Sequence, residues 1–429
     1  MTNAQFIIRI ILYALVLTCV VAVVNIVVDP YLFTDAPRIS GFNDRKPAAA
    51  KHEKSMKRYD APRRQARTLI IGSSRTGVGF NPSSDKWRKD DQTVYNLSLV
   101  GAGISGMIDI LRYFIASRAT DNLPNTIIVG LDFSGFLHPL ESEPDTIPHS
   151  YASIGLQEIL PPENQSIITE IFQSSKKNLS SMLSLAALSD SFSTVLVSYR
   201  GGGMTLDQRG WIEESKFLES TLANGVEGLF RQKNTETIKQ YDGANLGLLV
   251  ARDDSVKGIP TVRDIVLLGT NVGAKVILFI QPAHVDRWEL FDRFGYWDDF
   301  EQWKRTLGAL VDQLHQDGAD VELWDFAGYE SYMQESPFAR KDRASLLTWF
   351  WEPAHYNSAL GDILIGRMRG VDVSTDLGIR LTGKNLEHRL SRIRADRQNY
   401  RRSHTDEIER ISSLLCSSQK GCMKNREWK

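Results

Sequence analysis

Residues 69–80 read LIIGSSRTGVGF. A continuous apolar run ends on one glycine, two adjacent hydroxyls (Ser73 and Ser74) and a cation, Arg75. An unbroken run of this kind fits a parallel strand covered on both faces better than a half-exposed one. The turn after it has three readings: a phosphate cradle, a plain loop, or a perch for a nucleophile. No Gly-Lys-Ser/Thr follows at P-loop spacing, which removes the first. The carboxyl end of a strand is where α/β sheets hold ligands, but a serine there is a weak nucleophile unless a base lies in reach.

Outward from this stretch, five strand-length apolar runs follow in order: TLIIGS (68–73), VYNLSL (94–99), NTIIVGLDF (125–133), KVILFIQP (275–282) and VELWDFAG (321–328). Helical patterns separate them at 105–119, 261–273 and 298–318. The alternation predicts a doubly wound α/β domain with a five-stranded parallel sheet, in two segments, 68–139 and 259–370. Residues 140–258 break the rhythm with Ser- and Gly-rich stretches and read as a largely helical insertion between strands three and four, on the edge where substrate sites are built. Residues 371–429 read as a charged helical tail with a solvated face, and 29–67, rich in Lys, Arg and Pro, as a solvated basic tether that can meet anionic headgroups.

The N-terminal segment 1–28 contains IILYALVLTCVVAVVNIVV (10–28), about 19 uncharged residues and long enough to cross a bilayer as one helix. Its length and the lack of an A-x-A-like end favour an uncleaved anchor over a cleaved signal. Arg9 precedes the span and Arg38, Arg45 and Lys46 follow it, so charge alone does not orient it. The short N-terminal tail favours a body outside the cytoplasm. The net charge of −1 excludes a protein that coats nucleic acid. Of three cysteines, Cys19 lies in the apolar span, and Cys416 and Cys422 are spaced for a small disulfide loop in an oxidising compartment but not for zinc.

GAGISG (101–106) matches G-x-G-x-x-G, with Asp121 near the spacing of a ribose contact. It follows the second strand, whereas a dinucleotide fingerprint occupies the first turn, and Asp121 does not end the next strand. The glycines read instead as a tight loop that exposes backbone N–H groups. A base for Ser74 is supplied by TWFWEPAHYNSALGDILIGRM (348–368), where Glu352 and His355 are three apart, so that the carboxylate can hold the imidazole. In a 2-1-3-4-5 sheet this segment, after the fifth strand, comes beside the first-strand loop.

Gly72-Ser73-Ser74, Gly101, Gly130-Leu131-Asp132 and Glu352-Pro353-Ala354-His355 together resemble, in order and strand placement, the motif blocks of the SGNH (GDSL-like) hydrolase superfamily. The likeness is closest to its membrane-anchored branch, associated with bacterial cell-envelope and exopolysaccharide O-acylation, and covers about 68–135 and 270–370. The resemblance implies a flavodoxin-like three-layer fold, with Ser74 as nucleophile, His355 as general base and Glu352 as its orienting carboxylate. It also implies an oxyanion hole from the amides of Ser74 and Gly101 and the residue at Asp132. Two departures stand out. Glu352 replaces the usual Asp, and Asp132 replaces an Asn that would donate to the oxyanion, where a carboxylate would repel it. Asp132 would then have to be protonated, turned away, or replaced in that role by Ser134. Asp325 is a reserve triad acid.

Arg75 reads as a contact for an anionic substrate group or as a structural ion pair, His284 as a substrate contact or a capping loop histidine, and Trp349 and Trp351 as core residues or a sugar-stacking floor. The other tryptophans of the second half read as core. The expected activity is acyl transfer to, or ester hydrolysis from, a cell-surface polysaccharide at the inner membrane, with the main domain facing the periplasm or exterior. The partners are the glycan, an acyl donor delivered by a membrane protein, and the membrane itself; no cofactor or metal is expected. The alternative is a catalytically weak or inactive glycan-binding or assembly subunit.

Overall fold

In the computed structural model the described residues are 3–91, 93–118, 122–140, 184–250, 256–338, 345–371 and 377–418. Helix α1 (Asn3–Val28) is followed by α2 (Pro47–Lys51), α3 (Glu53–Arg63), β1 (Thr68–Ile71), α4 (Ser74–Gly79), β2 (Val94–Asn96), α5 (Ile104–Ala116), β3 (Thr126–Leu131) and β4 (Leu137–Pro139). Next come α6 (Leu185–Arg200), α7 (Ser215–Tyr241), β5 (Leu246–Leu248), α8 (Ile259–Asn271), β6 (Lys275–Ile280), α9 (Val285–Arg293), α10 (Trp297–Gln316) and β7 (Val321–Asp325). The chain closes with α11 (Ser358–Arg369), β8 (Ile379–Leu381), α12 (Leu386–Ser403) and α13 (Thr405–Ser418).

The main sheet runs β2-β1-β3-β6-β7-β8. Its first five members are the five expected strands, all parallel, with Thr68 paired to Val94 and Thr126, Thr126 to Lys275, and Ile280 to Asp325. The sheet has six strands, not five. The sixth, β8, is a three-residue antiparallel edge on β7 with Arg380 exposed, too short and polar to show as an apolar run. Strands β1 and β3 are buried throughout, which is why their sequences do not alternate.

Right-handed crossovers place α4 on one face and α5, α8 and α10 on the other, because the chain steps outward from β1 to β2 and then back across the sheet. Accordingly α8 packs on both α5 and α10, while α11 packs on α4. The expected core tryptophans Trp288, Trp297 and Trp303 are buried here, stacked around Phe300 and Phe133.

The described part of the insertion is mainly two helices, α6 and α7, closed at its base by the antiparallel pair β4–β5; residues 141–183 lie outside the described residues. Helix α7 breaks at Gly225, whose φ of 72° and ψ of 155° place it in a region a side chain disfavours. Its first turn meets Trp351 and His355 through Phe217, while its second half packs on α9 and α13.

The expectation of a solvated tether is overturned, and the charged helical tail keeps a solvated face, with Glu387, His388 and Arg392 exposed, while its other face docks on the body. The basic stretch 29–67 is folded into the body. Lys46 is fully buried and donates to the carbonyls of Val28 (2.7 Å) and Asp29 (3.0 Å), closing the C-terminal end of α1. Burial pulls its ammonium down to about 8, against the pull of Asp29. Its positive charge therefore serves a helix end, not solvent or lipid headgroups. The C-terminal helices are docked too: Leu390, Ile393, Tyr400, Ile408 and Ile411 are buried, as is Arg389. Cys416 is disulfide-bonded and Cys422 lies outside the described residues.

Candidate active site

Strand β1 stops at Ile71, and Ser73 caps α4, its Oγ accepting from the Arg75 N–H at 3.3 Å. Ser74 is thus the first residue of α4, with its amide among the unpaired donors of a helix start. Gly72, just past β1, and Gly130, on the neighbouring β3, leave room for Thr76 between them; a Cβ on either would collide with the threonine hydroxyl. Thr76 Oγ1 donates to Gln281 Oε1 (3.0 Å), which fixes the turn to the end of β6.

Residues 349–357 fold back on themselves, Trp351 N–H donating to His355 O (2.9 Å) and Asn357 N–H to Trp349 O (3.0 Å). This brings His355 over the β1 turn. Ser74 Oγ lies 2.8 Å from His355 Nε2, and His355 Nδ1 contacts Glu352 Oε1. Glu352 also accepts from the amides of His355 (2.8 Å) and Ala354 (3.1 Å). Burial pushes the Glu352 carboxyl up, but the facing imidazole, these hydrogen bonds and the charge of Arg287 outweigh it and hold it at about 2. An ionised Glu352 takes the Nδ1 proton as a hydrogen bond, leaving the Nε2 lone pair for the Ser74 hydroxyl. The His355 side chain is 21% exposed, so a ligand can reach the pair.

Asp132 does not stand in an oxyanion hole. Its Oδ1 pairs with Arg75 Nη1, and its Oδ2 accepts from Ser73 Oγ (2.5 Å) and Gln281 Nε2 (2.9 Å). A carboxylate with both oxygens accepting has nothing to donate to a developing anion. Of the alternatives set out from the sequence, this is the carboxylate turned away, held by its own cation. Ser134 Oγ in turn accepts from Arg287 Nη2 at 3.3 Å.

Arg75 is likewise not free for substrate. Besides Asp132, its Nε donates to Ala354 O (2.7 Å) and its Nη2 to Pro282 O, so all three guanidinium nitrogens are engaged. It ties the Ser74 turn to the His355 loop. His284 is also spent. It caps α9, Nδ1 accepting from the Asp286 N–H (3.2 Å), while Nε2 donates to Glu335 O (2.9 Å), and it is 1% exposed. Trp351 is buried in a side cluster with Leu32, Met56 and Val78, its indole N–H on Glu214 (3.1 Å), and forms no floor. Trp349 is half-buried against Tyr332. Asp325 is fully buried between Lys304 (2.9 Å) and Arg389 (2.9 Å) and is not a triad acid.

The loop that carries Gly101 is lashed alongside β1, Leu97 N–H donating to Ile70 O (2.7 Å) and Leu99 N–H to Gly72 O (3.0 Å). Gly101 has φ +71°, and Gly103 caps α5, so the G-x-G-x-x-G stretch is a left-handed turn into a helix. Asp121 lies outside the described residues.

Three residues here are not singled out by any sequence motif. Lys57 and Glu53, an ion pair on α3 (2.7 Å), grip the Gly101 loop from behind, Lys57 Nζ on Ser98 O and Glu53 Oε2 on the Val100 N–H (2.9 Å). Their i, i+4 spacing on a helix is the one sequence signal they give. Phe217, from the first turn of α7, lies with its ring 5.2 Å from the imidazole of His355. Near them, Arg287 spans from Phe291 (4.8 Å) to Ser134, and among the described residues no carboxylate pairs with it. Burial and the charge of Arg75 lower its pKa. Among the described residues no group of His, Cys, Asp and Glu is arranged to hold a metal ion. Compared with known proteins, the chain matches no family model and no curated protein.

Proposed function

We propose that this chain is a membrane-anchored, SGNH-like serine O-acyltransferase or esterase acting on a cell-surface polysaccharide. The observation that carries the reading is the unbroken line Ser74–His355–Glu352, with the nucleophile 2.8 Å from its base at the carboxyl edge of a parallel sheet. The 2-1-3-4-5 order of the five parallel strands supports the flavodoxin-like, SGNH-type fold beneath it. The N-terminal helix is long and apolar enough to span a membrane, and the disulfide-bonded Cys416 supports an oxidising compartment such as the periplasm for the body.

In this reading His355 Nε2 takes the Ser74 proton as Oγ attacks the acyl carbonyl. The imidazolium is stabilised by Glu352, and the amides of Ser74 and Gly101 hold the oxyanion. Collapse expels the donor's alcohol or thiol with the proton from His355. A glycan hydroxyl, or water, then returns its proton to His355 and takes the acyl group. Purified full-length protein is expected to hydrolyse a small acetyl ester and to label covalently with a serine-directed fluorophosphonate. Ser74→Ala should lose the labelling and lower turnover by about 10⁴-fold. Undiminished hydrolysis by the variant would overturn the reading.

The second reading, a glycan-binding or assembly subunit, is favoured by one observation: the Arg75–Asp132 pair occupies the place of the side-chain donor and leaves the hole to backbone amides. Wild-type protein that binds a cell-surface glycan but neither labels nor turns over would favour it.

A further inference from the structure

Helix α6 packs along the last two turns of α1 with a small, polar face. Ala187, Ser191, Thr194 and Ser198 are buried; Ser191 Oγ donates to Asn25 Oδ1 (2.8 Å), Tyr31 OH bonds Asp190, and Ser198 Oγ accepts from the Arg45 N–H (3.0 Å). These contacts bury Asn25, a polar residue inside an otherwise apolar span, together with Val21 and Val28. The opposite face of α6 carries large exposed apolar side chains, Leu185 at 73%, Phe192 67%, Leu196 47% and Tyr199 81%, with the exposed Ser189 and Ser193 among or beside them. Their spacing of seven, four and three residues places all four on one stripe of the helix. The rest of α1 is exposed in the same way, from Phe6 to Val27. Both bare surfaces belong to one packed helix pair.

We propose that α6 enters the bilayer beside the anchor, its Leu185–Phe192–Leu196 stripe facing lipid acyl chains. The inference rests on the reading of α1 as a membrane anchor and not on the catalytic assignment. The register orients α6. Ser191 meets Asn25, within the span, and Ser198 meets Arg45, beyond it, so the N-terminal end of α6 is the deeper one. At about 1.5 Å per residue, Leu185 lies about 20 Å along the axis from Tyr199. Tyr199 and Arg200 then fall at the headgroup level, where an aromatic ring with a polar tip and a snorkelling cation are favoured. Lipid is the fitting occupant because α6 packs directly on the one candidate membrane span among the described residues, and because its large exposed side chains are apolar, the polar ones there being only the small Ser189 and Ser193. A membrane-seated α6 also carries a functional consequence, since the chain passes through Met204–Glu214 directly to Phe217 beside His355. The site would be held a fixed, short distance from the bilayer.

The test uses full-length protein in a Cys19→Ser background, reconstituted in phosphatidylcholine vesicles and labelled with an environment-sensitive fluorophore at Leu17→Cys, Phe192→Cys, Tyr199→Cys or Lys239→Cys. Lipids carrying a nitroxide at the middle of the chain should quench the labels at Leu17 and Phe192 at least about twofold more than the label at Lys239 on α7. A nitroxide near the headgroup should quench Tyr199 more than Phe192. Quenching at Leu17 with Phe192 at the Lys239 level would overturn the proposal while leaving the anchor standing. A blue-shifted but unquenched Phe192 label would overturn it in favour of a protein cover. Absence of quenching at Leu17 as well would remove the anchor reading and the proposal with it.

Discussion

At Asp132 the sequence and the structure meet most sharply. Read as a motif position, it is a poor substitute for an oxyanion donor; read in place, it is the counterion that seats Arg75 between the Ser74 turn and the His355 loop. Both side chains are nearly buried, so removing one charge strands the other. Asp132→Asn is therefore expected to lower stability by about 3 kcal/mol, visible as a lower urea midpoint at unchanged slope, without raising esterase activity. A more active, equally stable variant would show that the position acts on the oxyanion after all. Glu352 gives a second prediction, in pH. Its folded pKa of about 2 lies below its ordinary value of 4.5, so its contribution is fully present above pH 4.5 and is lost as pH falls toward 2. A shift of this size corresponds to about 3 kcal/mol. Wild-type stability should fall across that window more steeply than that of Glu352→Gln, measured by denaturant titration at each pH.

At the scale of elements, the Gly101 loop depends on a helix that the sequence presents as part of a tether. The Glu53–Lys57 pair reaches from α3 to the backbone of Ser98 and Val100, and Lys57 is buried deeply enough that its pKa falls despite the facing carboxylate. Lys57→Met should leave the Ser98 carbonyl without its donor and let the Gly101 amide drift. The expected result is kcat lower by about tenfold with KM little changed, the pattern of an interaction made in the transition state. A rise in KM alone would mean that the loop binds substrate instead. This dependence was hidden because charge-rich sequence reads as solvated until a fold shows what it pairs with. The five parallel strands were legible because burial on both faces leaves continuous apolar runs, and Ser74, His355 and Glu352 because local spacing and strand order place them. Which of two readings Arg75, His284 and Trp351 take, substrate contact or structural role, was not, because hydrogen-bond partners far along the chain decide it: Asp132, Glu335 and Glu214.

At the scale of the whole molecule, the C-terminal helices decide whether the body unfolds as one unit. Arg389 on α12 reaches Asp325 at the end of β7 (2.9 Å) and Glu330 (2.6 Å), with Lys304 on the other side of Asp325. Arg410 on α13 meets Asp286 (2.7 Å), which also accepts from Asn234 of α7 (2.6 Å). Ile411 and Leu415 join Ile238 and Leu290 in the same seam. The tail thus bridges the central sheet, the helix after β6 and the insertion helix whose first turn carries Phe217. A solvated tail could lose either arginine with a change within about 0.5 kcal/mol. Arg389→Ala instead leaves Asp325 half-paired in a dry site, and Arg410→Ala leaves Asp286 facing only neutral partners and His284. Each is expected to cost about 3 kcal/mol and to move the single unfolding transition, followed by near-ultraviolet circular dichroism, without splitting it. A separate early transition in either variant, with the main midpoint unmoved, would mean that the tail is a detachable unit. The line from α13 through α7 to His355 would then not bear on the site.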